Sequence, residues 1–316
     1  MRGVISRRQL LTGAAALPLV FAASRAVTGT VPLAFLLIGD WGREGEDRQR
    51  DVAEQMGRIA AQRQCKFVVT LGDNFYERGV ENTQDPHWQD SFEQIYTAES
   101  LQVPWYAILG NHDYYGNPDA QIEYSKLSSR WRMPARYYQQ SMMSTDGATI
   151  DMFFLDTVEI EENYVIHHES DDDDENRRER AESHNAIEQL VWLEGKLAAS
   201  RAAWKLVFGH HPIMSGGEHG PTEELVMAIK PLLERYRVAA YFNGHDHDLQ
   251  HIVGNGIHYI GCGAGSQTRT VSTSEGARFF SDREGFAVCT IDARRMLIDF
   301  IDYKGERLYA ASIDRA

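Results

Sequence analysis

Short apolar runs alternate with segments of helical periodicity along most of this chain, and the contrast predicts its secondary structure. Runs rich in β-branched and aromatic residues predict five strands, each leading into a loop with glycine: 33–38, 67–71, 105–109, 204–208 and 238–242. Apolar positions with helical spacing predict helices at residues 47–62, 87–97, 119–129, 184–200 and 222–236. Further strands are predicted at residues 148–155, 257–260, 285–291 and 296–303.

The order of these elements predicts the fold class. Strands and helices alternate in the first half, whereas the last third consists of successive strands joined by polar turns. Because a sheet and a helix must each bury an apolar face against another layer, this order predicts an α/β protein, a four-layer sandwich of two mixed β-sheets flanked by helices. No internal repeat or linker divides the chain, so we predict a single domain over residues 27–316.

The five glycine loops carry side chains that can bind metals. They read Gly39-Asp40-Trp41-Gly42, Gly72-Asp73-Asn74-Phe75-Tyr76, Gly110-Asn111-His112-Asp113, Gly209-His210-His211-Pro212 and Gly244-His245-Asp246-His247. Seven residues are candidate ligands: Asp40, Asp73, Tyr76, Asn111, His210, His245 and His247. Two cations that share one carboxylate need about this many protein ligands, with positions left for water and substrate. The lack of thiolates argues against structural zinc and favours ferric iron beside a divalent ion in a binuclear hydrolase.

Composition narrows the possible functions. The chain has 316 residues, 43% apolar and 25% charged, as expected of a folded soluble protein. Its net charge is −14, and removal of residues 1–26 would leave about −18. Such a chain repels nucleic acid, so no nucleic-acid partner is expected and a small phosphorylated molecule is the easier substrate. The three cysteines are odd in number and lack C-x-x-C spacing, which indicates neither disulfides nor a zinc ribbon.

The first 26 residues are predicted to be a targeting segment. Arg7 and Arg8 precede a weak apolar stretch over residues 10–23, which Gly13 and Pro18 interrupt. A membrane-spanning helix needs about 20 apolar residues, so no stable membrane anchor is expected. The pattern is typical of a twin-arginine signal peptide cleaved near residues 23–26, with a basic or disordered terminus as the alternative. We therefore expect export of the folded protein by the twin-arginine machinery, to the periplasm or beyond the cell.

An acidic segment over about residues 159–180 differs from the rest of the chain. Five consecutive acidic residues, 171–175, are followed by arginines. Such a run cannot bury enough apolar surface to order itself, which predicts an exposed loop. Calcium binding is the alternative, but the usual glycine and glutamate positions of a calcium loop are missing.

The sequence resembles the purple acid phosphatases of the small mammalian, tartrate-resistant type, within the calcineurin-like metallophosphoesterases. The resemblance rests on the five loops and on four further segments: Tyr114 with QIEYSKLSSRWR at residues 121–132, Glu218-His219-Gly220-Pro221-Thr222, GHDHDLQ at residues 244–250, and Gly263-Ala264-Gly265. It extends from about Leu33 to the C-terminus. It implies the metallophosphoesterase fold and an acid phosphatase that hydrolyses phosphomonoesters by in-line attack of a metal-bound hydroxide.

The resemblance also implies a role for each candidate ligand. Asp40, Tyr76 and His247 would bind Fe(III). Asn111, His210 and His245 would bind a divalent metal, Fe(II), Zn(II) or Mn(II), and Asp73 would bridge the two ions. Ordinary metallophosphoesterases carry Asp-x-His in the first loop, whereas position 42 is glycine here. The phenolate of Tyr76 would replace that imidazole, as in the purple enzymes.

The resemblance places His112 and His219 over the substrate as catalytic residues. There they would hydrogen-bond phosphoryl oxygens or protonate the leaving group. His211 would either pack or tune the pocket. His87, His167, His168, His184, His251 and His258 are taken as surface or structural residues.

Three alternative functions stay open. A phosphodiesterase or nucleotide-processing enzyme could use the same ion pair, although Gly42 and Tyr76 argue against it. A redox-active iron pair could support peroxidative chemistry. A non-catalytic metal- or phosphate-binding protein should have lost a ligand, His112 or His219, and none is missing. The sequence does not reveal the physiological ester, and a monomer is favoured.

Overall fold

A computed structural model describes residues 32–164 and 186–315. Within these residues fourteen strands lie in two seven-stranded sheets. In chain order the strands are β1 (Leu33–Ile38), β2 (Val68–Leu71), β3 (Trp105–Ile108), β4 (Trp131–Arg132), β5 (Tyr138–Met143), β6 (Thr149–Phe154), β7 (Trp204–Phe208), β8 (Ala240–Asn243), β9 (Leu249–Gly254), β10 (Ile257–Cys262), β11 (Ala277–Ser281), β12 (Gly285–Ile291), β13 (Arg295–Asp302) and β14 (Arg307–Asp314).

Helices connect and cover the strands. The described α-helices are α1 (Gln49–Arg63), α2 (Pro118–Tyr124), α3 (Thr157–Tyr164), α4 (Ala186–Ala199), α5 (Glu223–Ala228) and α6 (Lys230–Arg235). A π-helical segment spans Trp88–Glu93, and 3₁₀ turns span Glu99–Leu101 and His112–Tyr115. No helix among the described residues is long and apolar enough to cross a membrane.

Both sheets are mixed, and their parallel strands carry the glycine loops. The first sheet has the order β14-β13-β12-β1-β2-β3-β4, in which β1 to β4 are parallel. The second has the order β11-β9-β10-β8-β7-β6-β5, in which β6, β7, β8 and β10 are parallel. The loops follow β1, β2 and β3 in one sheet and β7 and β8 in the other. Side chains at the carboxyl ends of parallel strands meet at one edge, which is where ligands bind in such sheets.

An aromatic ladder lies between the two sheets, beneath the loops. Tyr138, Phe154, Phe208 and Phe242 occupy facing positions on β5 to β8, and successive ring centroids are 4.5, 4.8 and 4.9 Å apart. The Tyr138 hydroxyl donates a hydrogen bond to the Ala107 carbonyl on β3 of the other sheet, at 2.9 Å. Cross-strand aromatic pairs of this kind stabilise a sheet. The ladder therefore fixes the ends of β7 and β8, from which two ligand loops begin.

Helices cover the outer faces of both sheets. On the first sheet, α1 buries Val52 and Met56. On the second, α4, α5 and α6 bury Leu193, Leu225 and Leu233 in a separate apolar cluster. The predicted four-layer α/β sandwich is confirmed, and the described residues belong to one compact unit. All three cysteines are buried free thiols, as the sequence indicated.

Several predicted elements have different limits in the structure. The helix predicted at 222–236 breaks at Ile229, because Pro231 lacks an N–H and is tolerated only in the first turn of a new helix. The helix predicted at 119–129 ends at Tyr124, and that at 87–97 is a short π-helical segment. Strands β4, β5, β9, β11 and β14 were not predicted. Four of them, β4, β5, β11 and β14, are edge strands, and β5 has only one fully buried residue, so an apolar run is lacking.

The acidic segment begins as a helix. Residues 157–164 form α3, with Val158, Glu159 and Ile160 buried, although a loop was predicted from residue 159. Val158 belongs to the main hydrophobic core and Ile160 to the second apolar cluster. Their burial orders this helix although acidic residues surround them in sequence. Residues 165–185, including the acidic run, and residues 1–31, including the predicted signal peptide, lie outside the described residues.

A histidine pair distant from the loops predicts a pH dependence of stability. His251 Nε2 lies 2.9 Å from His258 Nδ1, and His251 Nδ1 lies 3.2 Å from the Tyr309 hydroxyl. Burial, together with His258 and Arg278, lowers the pKa of His251 to about 4. The unfolded chain, with a pKa near 6.5, therefore binds more protons as the pH falls. The stabilising effect of neutral His251 is complete above pH 6.5 and is lost progressively toward pH 4.

We expect His251→Gln to flatten this dependence. Between about pH 7 and pH 5 the free energy of unfolding should fall by about 1–2 kcal/mol less in the variant than in the wild type. Urea unfolding at both pH values measures the difference. Equal losses in the two proteins would show that His251 does not titrate with folding.

Candidate metal centre

One group of potential metal ligands surrounds the Tyr76 hydroxyl. That oxygen lies 2.7 Å from Asp73 Oδ2, 3.0 Å from Asp40 Oδ1 and 3.0 Å from His247 Nε2. The four side chains come from the loops after β1, β2 and β8, and all are almost completely buried. The structure thus brings together the residues that the resemblance assigned to the ferric site and the bridge.

A second group lies on the other side of Asp73. Asn111 Oδ1 is 3.1 Å from both His210 Nε2 and His245 Nδ1, and the two histidine nitrogens are 3.2 Å apart. Asp73 Oδ1 lies 3.5 Å from His210 Nε2, whereas its Oδ2 faces Tyr76. One carboxylate therefore directs one oxygen to each group, which is the geometry that a bridging ligand requires.

The contacts in both groups suit two bound cations. Tyr76 has one O–H but faces two carboxylates, those of Asp40 and Asp73, in addition to His247 Nε2. His210 donates its Nδ1–H to the Leu71 carbonyl at 2.8 Å, so its Nε2 presents a lone pair to Asn111 Oδ1, another acceptor. Octahedral ligands about 2.1 Å from a cation are about 3.0 Å from one another, which matches the spacing in both groups. The residues fit a binuclear metal centre.

Burial sets the protonation of these groups. Burial, then the charge of Asp73, raises the pKa of Asp40, and burial with both carboxylates raises the pKa of Tyr76. Burial opposes ionisation of Asp73, yet His210, His112 and Tyr76 lower its pKa to about 2. Burial also lowers the pKa of His210 to about 4, which keeps that imidazole neutral, as a ligand must be. Ionisation of the phenol thus requires a strongly charged cation.

Three ligand residues have backbone conformations that non-glycine residues seldom adopt. The φ angles of Asp40, Asp73 and His245 are 59°, 47° and 69°. Left-handed conformations of this kind cost about 1–3 kcal/mol each and concentrate at functional sites. They turn each side chain from the end of its strand toward the shared centre.

Glycine is required at position 42 because another chain segment passes close to it. A Cβ there would lie 1.9 Å from the Asn74 carbonyl oxygen, and the Gly42 carbonyl accepts a hydrogen bond from Tyr76 N at 2.7 Å. A histidine at this position, as in Asp-x-His, would displace the segment that carries Tyr76. The absence of a histidine at position 42 is therefore what allows the Tyr76 phenol to approach the centre. Gly263 also permits close approach: a Cβ there would lie 2.7 Å from Asp40 Oδ2.

We expect Gly42→Ala to lower both stability and metal content. Overpacking against backbone costs about 1–3 kcal/mol, and here it also displaces Tyr76. Gly195→Ala is the matched control, since a Cβ at that helical position meets nothing within 4 Å. The control should keep the metal content and gain up to about 1 kcal/mol from helix propensity. Thermal unfolding and elemental analysis measure both effects, and equal behaviour of the two variants would contradict the steric argument.

His112 lies beside Tyr76 at the open side of the centre. Its backbone N–H donates to Asp73 Oδ1 at 2.8 Å, and its ring Nδ1 donates to the Glu77 carbonyl at 2.7 Å. The ring packs on Tyr76 with centroids 4.5 Å apart. These contacts fix the ring and leave Nε2 available to a bound molecule.

His219 lies over the second group of ligands. Its ring packs on His245 with centroids 4.3 Å apart, and its backbone N–H donates to Asp246 Oδ1 at 2.9 Å. The guanidinium of Arg269 contacts His219 Nε2. Burial and then the charge of Arg269 lower the pKa of His219, against the opposing charge of Asp246. In this conformation Nε2 accepts a hydrogen bond, because a guanidinium can only donate.

His211 is buried and belongs to the support of the centre. Its Nδ1 lies 3.0 Å from the Thr157 hydroxyl and its Nε2 lies 3.1 Å from the Glu161 carboxylate. Its nitrogens also come within 4.8 Å of those of His210 and His245, so this trio could by distance hold an ion. The contacts with α3 direct the imidazole away from Asn111, and the packing role is the one that the geometry favours.

The sequence reasoning missed several residues that position the ligands. Buried Asp113 accepts hydrogen bonds from Gly110 N, Asn74 N and the Gln121 amide, and so joins two ligand loops. Burial, then Asp73, raises its pKa to about 8. Its place beside His112 was the available signal. Two arginines were also missed: Arg43, whose guanidinium lies 3.8 Å from the centroid of the Tyr76 ring, and Arg269.

Sequence comparison agrees with this geometry. A profile described as calcineurin-like phosphoesterase matches residues 33–249. The chain is 38% identical over 285 residues to purple acid phosphatase 4 of Arabidopsis thaliana, covering 88% of this chain and 82% of that protein. It is 36% identical over 305 residues to tartrate-resistant acid phosphatase type 5 of Homo sapiens, covering 90% and 92%.

Solved structures share the fold. GAP50, the anchor in the inner membrane complex of Plasmodium, superposes with a TM-score of 0.77 at 24% identity, covering 90% of each chain. Purple acid phosphatase PPD1 from yellow lupin (Lupinus luteus) seeds superposes with a TM-score of 0.64 at 17% identity, covering 90% of this chain and 54% of that one. At these identities the likeness shows the fold alone.

Proposed function

Since the chain belongs to the calcineurin-like phosphoesterases, among their purple acid phosphatases, we propose that it hydrolyses phosphomonoesters at a binuclear metal centre held by the seven ligands. One observation carries the proposal: the two oxygens of Asp73 face two separate groups of ligands. A mononuclear site would not need a carboxylate shared in this way.

The protein residues orient the ester and handle its protons. When bound, the two cations would lower the pKa of water and offset charge on the phosphoryl oxygens. His112, held by Asp73 and Glu77, would direct Nε2 to a phosphoryl oxygen. His219, over His245, would donate a proton from Nε2 to the leaving oxygen. That role requires Arg269 to give up its contact with Nε2 and the imidazole to take up a proton from solvent at Nε2 before it reaches the leaving oxygen.

We propose Fe(III) beside Tyr76 and a divalent ion, Fe(II), Zn(II) or Mn(II), beside Asn111. A phenolate and two carboxylates in the first group favour the higher charge, whereas the second group offers two neutral imidazoles and an amide. The exported protein should be coloured by phenolate-to-iron charge transfer. Elemental analysis and a visible spectrum test this, and Tyr76→Phe should lose the absorption band.

Hydrolysis assays on the same purified protein distinguish this function from the main alternative, a phosphodiesterase or nucleotide-processing enzyme. Mono-p-nitrophenyl phosphate should be hydrolysed in preference to bis-p-nitrophenyl phosphate. A colourless protein that contains only zinc or manganese and prefers the diester would instead favour a phosphodiesterase or nucleotide-processing enzyme. The substrate class that we propose is a small phosphorylated molecule, in keeping with a net charge of −14 that disfavours nucleic acid.

We propose that the protein is exported folded, by the twin-arginine route, as a periplasmic or secreted monomer without a stable membrane anchor. The support is the paired Arg7 and Arg8 before the apolar stretch over residues 10–23. Replacing both arginines with lysine should retain the protein in the cytoplasm, as fractionation would reveal. Unchanged export would contradict the route, and light scattering of the exported protein tests the monomer.

A further inference from the structure

Arg269 is an unpaired arginine at the mouth of the metal centre. Its side chain contacts His219 Nε2, and within residues 32–164 and 186–315 no carboxylate lies within ion-pair distance of it. Three other shielded arginines are paired with carboxylates: Arg43 with Glu77, Arg130 with Glu93 and Arg136 with Asp119. A fourth, Arg132, donates instead to the backbone carbonyls of Ser128 and Ser129. Arg269 differs from all four, because the only side-chain contact that the described residues give it is the imidazole of His219.

The Arg269 side chain also has unused hydrogen-bonding capacity. A guanidinium carries five N–H donors in a planar fork that matches a carboxylate or phosphate. The imidazole nitrogen of His219 can accept only one of them. The contact with His219 therefore leaves the group open to an anion, which would bind more strongly because both partners are charged.

The backbone around Arg269 is anchored to both neighbouring loops. Arg269 N donates to the His247 carbonyl at 2.8 Å, and Ser272 N donates to the Gly216 carbonyl at 2.9 Å. The segment after β10 is thus tied to the loop of His247 and to the loop that leads to His219. An anion can draw the Arg269 side chain off the imidazole without movement of the main chain.

The location of Arg269 indicates which part of a substrate it meets. Its side chain contacts His219, the residue that faces the leaving group in the proposed function, and hydrogen-bonds to none of the seven ligand side chains. The positive charge therefore lies on the leaving-group side of the ester. The scissile phosphoryl group belongs between the two ligand groups.

We propose that Arg269 binds a second anionic group, a carboxylate or a further phosphate, on the leaving-group side of the phosphomonoester. The inference rests on the proposed function and adds a substrate class to it: esters whose alcohol carries its own negative charge. Binding of that charge would also release His219 Nε2 for the leaving oxygen. Neutral alcohols would leave Arg269 on the imidazole.

A matched set of aryl phosphates tests the selectivity. Two substrates carry a second anionic group on the leaving alcohol: meta-carboxyphenyl phosphate and meta-phenylene bisphosphate. Phenyl phosphate, whose leaving alcohol has no such group, is the reference. We expect the ratio of kcat/KM between each anionic substrate and the reference to fall about tenfold in Arg269→Ala, with the loss mainly in KM. Arg269→Lys should keep part of the selectivity, and Arg269→Glu should reverse it. Arg235→Ala, which removes an exposed arginine of α6 paired with Glu194, is the control and should leave both ratios unchanged.

Binding of non-hydrolysable ligands gives a readout without turnover. Calorimetry should show phosphonoacetate binding about tenfold more tightly than methylphosphonate to the wild type, and about equally to Arg269→Ala. Unchanged ratios in the variant would overturn the proposal. Equal losses for both phosphonates would also overturn it, since Arg269 would then hold the phosphoryl group itself. Failure of the wild type to hydrolyse any monoester would refute the proposed function, while the phosphonate comparison would still test Arg269.

Discussion

Asp73→Asn is expected to lower the kcat of p-nitrophenyl phosphate hydrolysis by about 10³-fold or more, equivalent to about 4 kcal/mol of barrier. The metal content should fall from two ions per chain to one or fewer. Each oxygen of Asp73 faces a different ligand group, and both groups lose a negative ligand when the carboxylate becomes an amide. Steady-state kinetics and elemental analysis of the purified protein measure both effects.

Asp73→Asn should also lower activity by moving the neighbouring loop, which carries His112. Asp73 Oδ1 also accepts the backbone N–H of His112 at 2.8 Å, and an amide that turns its NH₂ group toward this donor would displace the loop. Asp151→Asn is the matched control, because Asp151 accepts hydrogen bonds from Ser141 and Ser200 on the far part of β6. The control should keep two metal ions and nearly full activity. Two bound ions and normal turnover in Asp73→Asn would refute the bridging role.

His219→Ala is expected to affect substrates according to their leaving groups. General acid catalysis contributes about 10²- to 10⁴-fold, and an alkoxide needs the proton whereas p-nitrophenolate does not. We therefore expect about a 10³-fold loss of kcat with an alkyl phosphate and about tenfold or less with p-nitrophenyl phosphate. The measurement is the dependence of log kcat on the pKa of the leaving alcohol, which should become steeper in the variant.

Two outcomes would separate a catalytic His219 from a structural one. Losses of equal size for every leaving group would remove it as the general acid and leave only its packing on His245. His87→Ala is the control: His87 contacts Ser91 and Glu44, outside the seven ligands, and its removal should not change the leaving-group dependence.

Much of the fold could be predicted because many strands and helices are encoded by the pattern of apolar residues within their own segments. Continuous apolar runs gave the bounds of Leu33–Ile38, Trp204–Phe208 and Gly285–Ile291 to the residue. Such strands are buried on both faces, so nearly every position is apolar; Lys205 and Thr290 are the exceptions. The edge strands β4 and β14 and the helix α3 escaped prediction, since their order comes from neighbours rather than from their own composition.

The residues of the candidate site also fall into those that the sequence indicated and those that it did not. The candidate ligands could be chosen from the sequence, because each stands in a short glycine loop directly after a strand. Arg43, Thr157 and Arg269 were not, because nothing near them in sequence indicates what they contact. Thr157 is an example: its hydroxyl accepts the backbone N–H groups of His210 and His211, more than fifty residues away.

The sequence by itself determined the layers of the fold, the family and the set of candidate metal ligands, because periodicity and glycine loops are short-range properties. Only the tertiary structure decided how those side chains divide, with one oxygen of Asp73 toward each group, and why residue 42 must be glycine. It alone brought Arg269 to His219, fifty positions apart. Distances and charges between remote segments depend on packing of the two sheets, which no local pattern encodes.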